Sequence, residues 1–274
     1  MIEIKNLTKK FGDFTAVDHL SLKIETGEFF GLLGPNGAGK TTTISMISTV
    51  LLPGEGEIMI DGLPLNRKAH REKRKISIVT QEFSMRQDMT MEEVMEYQGR
   101  LYYLPKQEIK RKTEELFHFS GLTEYRKRTV RHLSGGMKRK LMICRALLTD
   151  PEIILLDEPT AGMDAIVRRQ MWGLLREMKK KDITVLLTTH YMEEAEALCD
   201  RVALIDKGAL KKTGVPKDLI EELGKYTVEE ESETGLKGFH FKEKKDALSY
   251  LERSGYKASL RATTLEDVFV EAVG

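Results

Sequence analysis

Near the start of the chain, apolar residues recur mostly at intervals of two. Ile2, Ile4 and Leu7, then Leu20, Leu22 and Ile24, are separated by polar or charged neighbours. That spacing predicts half-buried antiparallel strands. Residues 29–33 break the alternation with a continuous apolar run that ends at Gly34, the pattern of a strand buried on both faces. Residues 58–60 followed by Asp61-Gly62 predict a strand entering a hairpin.

From about residue 90 to 148 the period changes to three and four. Thr90-Met91-Glu92-Glu93 has the form of a capping box and predicts a helix start. Two short buried-type strands, residues 153–156 and 184–188, flank a helical stretch over 166–180. Alternating strands and helices imply a largely parallel sheet covered on both faces. Asp206-Lys207-Gly208 is a second hairpin signal. Beyond it, residues 225–274 read as strand, strand, helix, strand, helix, with Glu229 to Glu233 an acidic, solvated run. The expected organisation is an α/β domain over 1–220, with a helical subdomain near 90–148, and a small α+β domain over 225–274.

Composition narrows the classes of partner. The 274 residues are 41% apolar, which is ordinary for a globular chain. The 44 basic residues nearly cancel the 43 acidic ones, and the net charge of +1 gives no global attraction to nucleic acid or an anionic bilayer. Cys144 and Cys199, far apart in sequence, encode no disulfide framework or Cys-rich zinc site, which favours a reducing compartment. Met1-Ile2-Glu3-Ile4-Lys5 carries charges where a signal peptide needs an apolar core. The apolar runs fall far short of the ~20 residues that span a bilayer. Movement of anything across a membrane would need another chain to form the path.

Chemistry first appears at Gly34-Pro35-Asn36-Gly37-Ala38-Gly39-Lys40-Thr41, with Thr42 beside it. This fits G-x-x-x-x-G-K-[ST] between a predicted strand and a predicted helix. Its glycines let backbone N–H groups turn inward onto phosphate oxygens at a helix N-terminus, where the dipole favours anions. Lys40 is expected to reach the β- and γ-phosphates of ATP, and Thr41 to offer its hydroxyl to Mg²⁺. A second constellation closes the strand over 153–156 with Asp157 and Glu158. An unpaired buried carboxylate costs several kcal/mol, so two acids at a buried strand end call for a task. In P-loop enzymes Asp157 would hold Mg²⁺, and Glu158, on the opposite face, would accept a proton from attacking water.

Leu133-Ser134-Gly135-Gly136-Met137 precedes an apolar–basic helix and resembles the signature of the ABC (ATP-binding cassette) ATPases. Ser134 would cap that helix, and Gly135 and Gly136 would let its N–H groups approach a phosphate. The order of motifs along the chain is similar to that family throughout residues 1 to about 220. Phe11 lies where the family has an adenine-stacking aromatic, Gln81 where it has its Q-loop, and Ala161-Gly162-Met163-Asp164 resembles the D-loop. His190 stands at the switch histidine, which contacts the γ-phosphate. Phe11 replaces the commoner Tyr, and Met137 stands where glutamine is usual. Met137 with Lys138-Arg139-Lys140 is similar to the bacterial drug- and antibiotic-exporter branch, as is Thr264-Leu265-Glu266-Asp267-Val268-Phe269.

The resemblance implies a RecA-like P-loop core with an antiparallel β subdomain and a helical signature subdomain. It implies an ATPase in which Glu158, His190 and Gln81 serve catalysis, and Thr41, Gln81 and Asp157 serve Mg²⁺. It implies a second ATPase subunit, a copy or a paralogue, whose ATP meets Ser134, Gly135, Gly136 and Asp164 of this chain. A separately encoded integral-membrane permease would hold the pair at the inner face of the cell membrane. The Gln81 loop and residues 90–131 would receive a permease helix, with Met85, Met89 and Tyr97 exposed for contact. The competing class is an ABC ATPase acting on nucleic acid or the ribosome. Its long insertions or paired cassettes are missing here, and the basic clusters at 138–140 and 179–181 read as solvated helix faces. A scaffold with a dead site is disfavoured by the intact Lys40 and Glu158.

Overall fold

The computed structural model describes residues 1–232, 235–254 and 258–273. Strands β1 (Ile2–Phe11) and β2 (Phe14–Ile24) form an antiparallel hairpin, and β3 (Phe29–Leu33) leaves it for a second layer. With β4 (Glu55–Ile60) and β5 (Leu63–Pro64) the hairpin completes a sheet of order β2-β1-β4-β5. The step from Ile4 to Leu7 departs from strict alternation because β1 bulges: its register with β2 shifts there, and Asn6 sits at φ 47. The extra residue keeps Ile2, Ile4 and Leu7 all on the buried side. Asp61 and Gly62, both at positive φ, make the predicted hairpin turn.

The second layer is a six-stranded sheet of order β10-β9-β3-β8-β7-β6, built with β6 (Ile76–Val79), β7 (Ile153–Asp157), β8 (Thr184–Thr189), β9 (Arg201–Asp206) and β10 (Ala209–Gly214). All neighbours are parallel except β9 and β10. Successive residues of these strands feed opposite cores. Phe29, Ile154 and Leu187 join one apolar cluster, while Phe30, Leu155 and Leu186 join the other. Both faces are therefore buried, as the continuous apolar runs predict.

One cluster fills the space between the two sheets around α1 (Lys40–Ile47). The short α2 (His70–Arg74) precedes β6. The other cluster packs the far face under α3 (Met91–Leu101), α4 (Lys106–Ser120), α5 (Gly135–Leu147), α6 (Ala165–Lys179), α7 (Met192–Leu198) and α8 (Pro216–Leu223). The helix starting after Thr90 has its reciprocal capping box: the Glu93 N–H donates to Thr90 Oγ1, and Glu93 Oε2 accepts from the Thr90 N–H at 2.7 Å.

The chain ends in a three-stranded antiparallel sheet, β12-β11-β13, formed by β11 (Tyr226–Ser232), β12 (Gly235–Phe241) and β13 (Ala258–Ala262), with α9 (Lys244–Ser254) against it. The last helix, α10 (Leu265–Val273), returns to α7 and α8 and adds Leu265 and Val268 to the main cluster. Glu233, in the acidic run, lies outside the described residues. No helix among the described residues is long and apolar enough to cross a membrane. Cys144 and Cys199 are buried and not disulfide-bonded.

Two expectations about exposure are corrected. Met85 is only 8% exposed, and Met89 packs against the main cluster, so of the three residues expected at a contact surface only Tyr97, at 54%, is open. Their flexible side chains pack into the main apolar cluster rather than facing outward. In the basic run 138–140, Arg139 is buried at 2% exposure, so the run is not wholly a solvated face.

Candidate active site

The loop over residues 34–41 leaves β3 and enters α1, whose N-cap is Gly39. Gly39 has φ 101, and a Cβ there would stand 2.4 Å from the Ala16 carbonyl oxygen. A Cβ at Gly34 would stand 2.2 Å from the Ile205 carbonyl oxygen. Backbone blocks the space at both positions, so neither tolerates a side chain without rearrangement. The loop is thus wedged between β2 and β9 with its helix N-terminus open.

Lys40 is nearly buried. Its Nζ donates to the carbonyls of Gly34 at 2.7 Å and Pro35 at 3.1 Å, and lies 3.2 Å from Glu158 Oε1. The other oxygen of Glu158 lies 2.7 Å from Nδ1 of His190. Glu158 is therefore a buried carboxylate with a cation on one oxygen and an imidazole on the other. Its backbone has φ 48, a region a side-chain-bearing residue seldom occupies, and is held there by its N–H donating to Thr188 O of β8 at 3.0 Å.

Asp157 ends β7 next door. Its Oδ1 accepts from Thr188 Oγ1 at 2.6 Å and from Thr41 Oγ1 at 3.2 Å. The adjacent acids thus have different partners, Asp157 two threonines and Glu158 a lysine and a histidine. The Thr41 and Asp157 oxygens suit a Mg²⁺ ion. Adjacent ligands of an octahedral ion bound at about 2.0–2.1 Å lie roughly 2.9 Å apart, and such sites take few carboxylates and rely on phosphate and water for the rest.

One cleft gathers Asn36, Gly37, Gly39, Lys40, Thr41, Thr42, Gln81, Glu158 and His190, closed on one side by Phe14 and Ala16. Gly34 and Pro35 line a neighbouring hollow with His190 and α10. Ala38 is buried in the loop, its carbonyl accepting from the Gly208 N–H at 3.1 Å. Phe11 is not part of the cleft lining; it is half exposed and pairs across the hairpin with Phe14, which is. No local sequence pattern marks Phe14 and Ala16; Ala16 meets the loop through its carbonyl oxygen, packed against Gly39.

The signature residues are not in this cleft. Ser134 caps α5, accepting from the Met137 N–H at 3.3 Å. A Cβ on Gly136 would come within 2.8 Å of Val167 Cγ1, so this glycine lets α5 approach α6, while Gly135 faces open space. Asp164 caps α6, accepting from the N–H groups of Ile166 at 3.0 Å and Val167 at 2.9 Å.

Sequence reasoning missed two buried groups. Glu194 of α7 is fully buried; its Oε1 accepts from Thr160 Oγ1 at 2.8 Å and Trp172 Nε1 at 3.1 Å, joining the segment after Pro159 to α6. Burial pushes its carboxyl above the usual carboxylate range. Arg139 of α5 donates to the backbone carbonyls of Thr80 and Gln81. It shares a helical stripe with Met142, Ile143 and Ala146, which is the sequence signal for its burial.

The family model described as ABC transporter matches residues 17–161. The chain is 39% identical over 236 residues to the linearmycin resistance ATP-binding protein LnrL of Bacillus subtilis (strain 168), covering 86% of this chain and 76% of that one. It is 35% identical over 295 residues to the Nod factor export ATP-binding protein I of Cupriavidus metallidurans, covering 100% of this chain and 97% of the relative. Among solved structures it resembles an ATP-binding cassette captured as a dimer in a post-hydrolysis state with ADP and Pi. That match has a TM-score of 0.70 and 29% identity, and covers 78% of this chain and 98% of the other.

Proposed function

This chain belongs to the ABC transporter family as an ATP-binding ATPase subunit, and we propose that it drives export through a separate integral-membrane protein. The observation that carries the reading is the convergence of Lys40, Glu158 and His190 beside the Thr41–Asp157 pair at one helix N-terminus. Backbone N–H groups of residues 36, 37 and 39–42, with the Lys40 ammonium, would hold the phosphates of ATP. Glu158 would accept the proton of the water that attacks the γ-phosphorus, as the bond to the bridging oxygen of ADP breaks. His190 and Gln81 would position that water and phosphate. Mg²⁺, held by Thr41 and Asp157 with Gln81 nearby, would neutralise charge on the β- and γ-phosphates.

Ser134, Gly135, Gly136 and Asp164 lie apart from this cleft, which supports a site completed by a second ATPase subunit. Each ATP would rest on the P-loop of one subunit and the signature of the other, so closing and reopening of the pair would move the membrane partner. The roles of the two relatives, in linearmycin resistance and Nod factor export, favour the export direction. The pair would sit at the cytoplasmic face of the membrane, bound through the permease. Tyr97, Leu101, Tyr102 and Tyr103, all exposed along and just beyond α3, offer an apolar and aromatic docking surface.

The test is co-expression with a candidate membrane protein, such as one encoded by a neighbouring gene, using Tyr97→Cys and Leu101→Cys for crosslinking. The reading expects crosslinks into the membrane protein and ATPase activity that rises on assembly. Retention on nucleic acid or ribosomes, without a membrane crosslink, would contradict it.

A further inference from the structure

Arg139 has no task in the chemistry described above, yet it is the largest of the fully buried side chains. Burying a guanidinium is costly unless its donors are satisfied. Here the donors go to backbone: one terminal nitrogen donates to the Thr80 carbonyl, the other to the Gln81 carbonyl at 2.8 Å. Nε is left without a partner among the described residues. The guanidinium carbon lies 5.1 Å from the ring centroid of Phe83, in the same loop. The loop is braced internally as well, since Thr80 Oγ1 donates to the Glu82 carbonyl at 2.9 Å.

A rigid fork bonded to consecutive carbonyls fixes position as well as distance, which a single flexible donor does not. On the two-subunit reading above, the two elements it joins would face different nucleotides. Gln81 lines the cleft of this chain's own P-loop. Arg139 lies in α5, which Ser134 caps, and Ser134 belongs to the surface read above as facing the partner's ATP. We infer that Arg139 is a positioning residue that locks the Gln81 loop to the signature helix, so that nucleotide bound in this chain's cleft sets the placement of Ser134 at the other. The inference rests on the reading of the chain as one of two ATPase subunits closing on shared nucleotides.

A double-mutant cycle tests it on the full chain: Arg139→Met, Gln81→Ala, and both together, read by steady-state ATP hydrolysis and by nucleotide binding to the isolated subunit. If Arg139 acts through the Gln81 loop, each single change lowers kcat about tenfold and leaves KM within about twofold. The double change then falls no further than the worse single. ATP binding to the isolated Arg139→Met subunit stays unchanged, which a general loss of structure would not allow. Arg139→Lys keeps the charge but not the fork and should resemble Arg139→Met. Should Arg139→Met fail to fold, Arg139→Gln, which retains one amide donor, enters the same cycle. Multiplying effects in the double variant, or full rescue by Arg139→Lys, overturns the inference while leaving the ATPase reading intact. A wild-type chain that hydrolyses no ATP removes both.

Discussion

Nδ1 of His190 stands 2.7 Å from Oε2 of Glu158. Neighbouring parallel strands set that distance, because Asp157 of β7 is in register with Thr188 of β8 and the two side chains emerge just beyond those strand ends. A carboxylate can only accept, so Nδ1 carries the hydrogen and Nε2 is left for a further partner. His190→Ala should therefore lower kcat at least about tenfold with little change in KM, since it removes a contact formed as the γ-phosphate reacts. Steady-state kinetics decide it. A change confined to KM would make His190 a ground-state binding residue.

The base of ATP is expected on Phe11. Phe11 and Phe14 are cross-strand partners beside the cleft, both exposed, and only Phe14 lines it. Stacking on an aromatic ring contributes about 1–3 kcal/mol and tolerates different bases. Phe11→Ala should weaken ATP binding by that amount, Phe11→Tyr should not, and GTP should bind nearly as well as ATP. Titration of Phe11→Ala and Phe14→Ala with a fluorescent nucleotide checks it. Loss of affinity only in Phe14→Ala would move the stacking site to the residue that lines the cleft.

Glu194 gives a prediction about stability against pH. Its carboxyl is raised by burial above the ordinary value of 4.5, so between that value and its folded pKa the native state binds more protons than the unfolded one. Across that window stability falls as pH rises. Glu194→Gln removes the ionisation while keeping an oxygen for Thr160 and Trp172. Thermal melts should show the variant equal to wild type well below pH 4.5 and progressively more stable than it as pH rises, until the gain levels off. A constant difference at all pH values would contradict the buried-acid account.

Much of the site was legible because its residues are consecutive. The phosphate loop and the Asp157–Glu158 pair each lie in a few adjacent positions, where one local geometry dictates the residue types, as does the Ser134 helix cap outside the cleft. The continuous apolar runs marked the buried strands of the sheet, since adjacent residues such as Phe29 and Phe30 feed opposite cores. Contacts made at a distance were not legible. Arg139 reads as part of a basic run until its place in the Met142–Ala146 stripe is noticed. Glu194 sits among other acids, and only the packing of α6 against α7 shows that it is the one turned inward. Met85 read as exposed because nothing local reveals that it joins the main apolar cluster.

The most direct test of the account is Glu158→Gln. The change keeps the size of the side chain and removes its basicity, while Lys40, Thr41 and Asp157 remain to hold MgATP. A positioned general base contributes about 10²–10⁴ in rate, so phosphate release should fall by that factor with ATP binding preserved. The closed pair should then accumulate. Sedimentation of Glu158→Gln with ATP should show a dimer that is absent without nucleotide and absent again when Ser134→Arg is added. Phosphate release at the wild-type rate, or a dimer indifferent to both ATP and the Ser134 change, would contradict it.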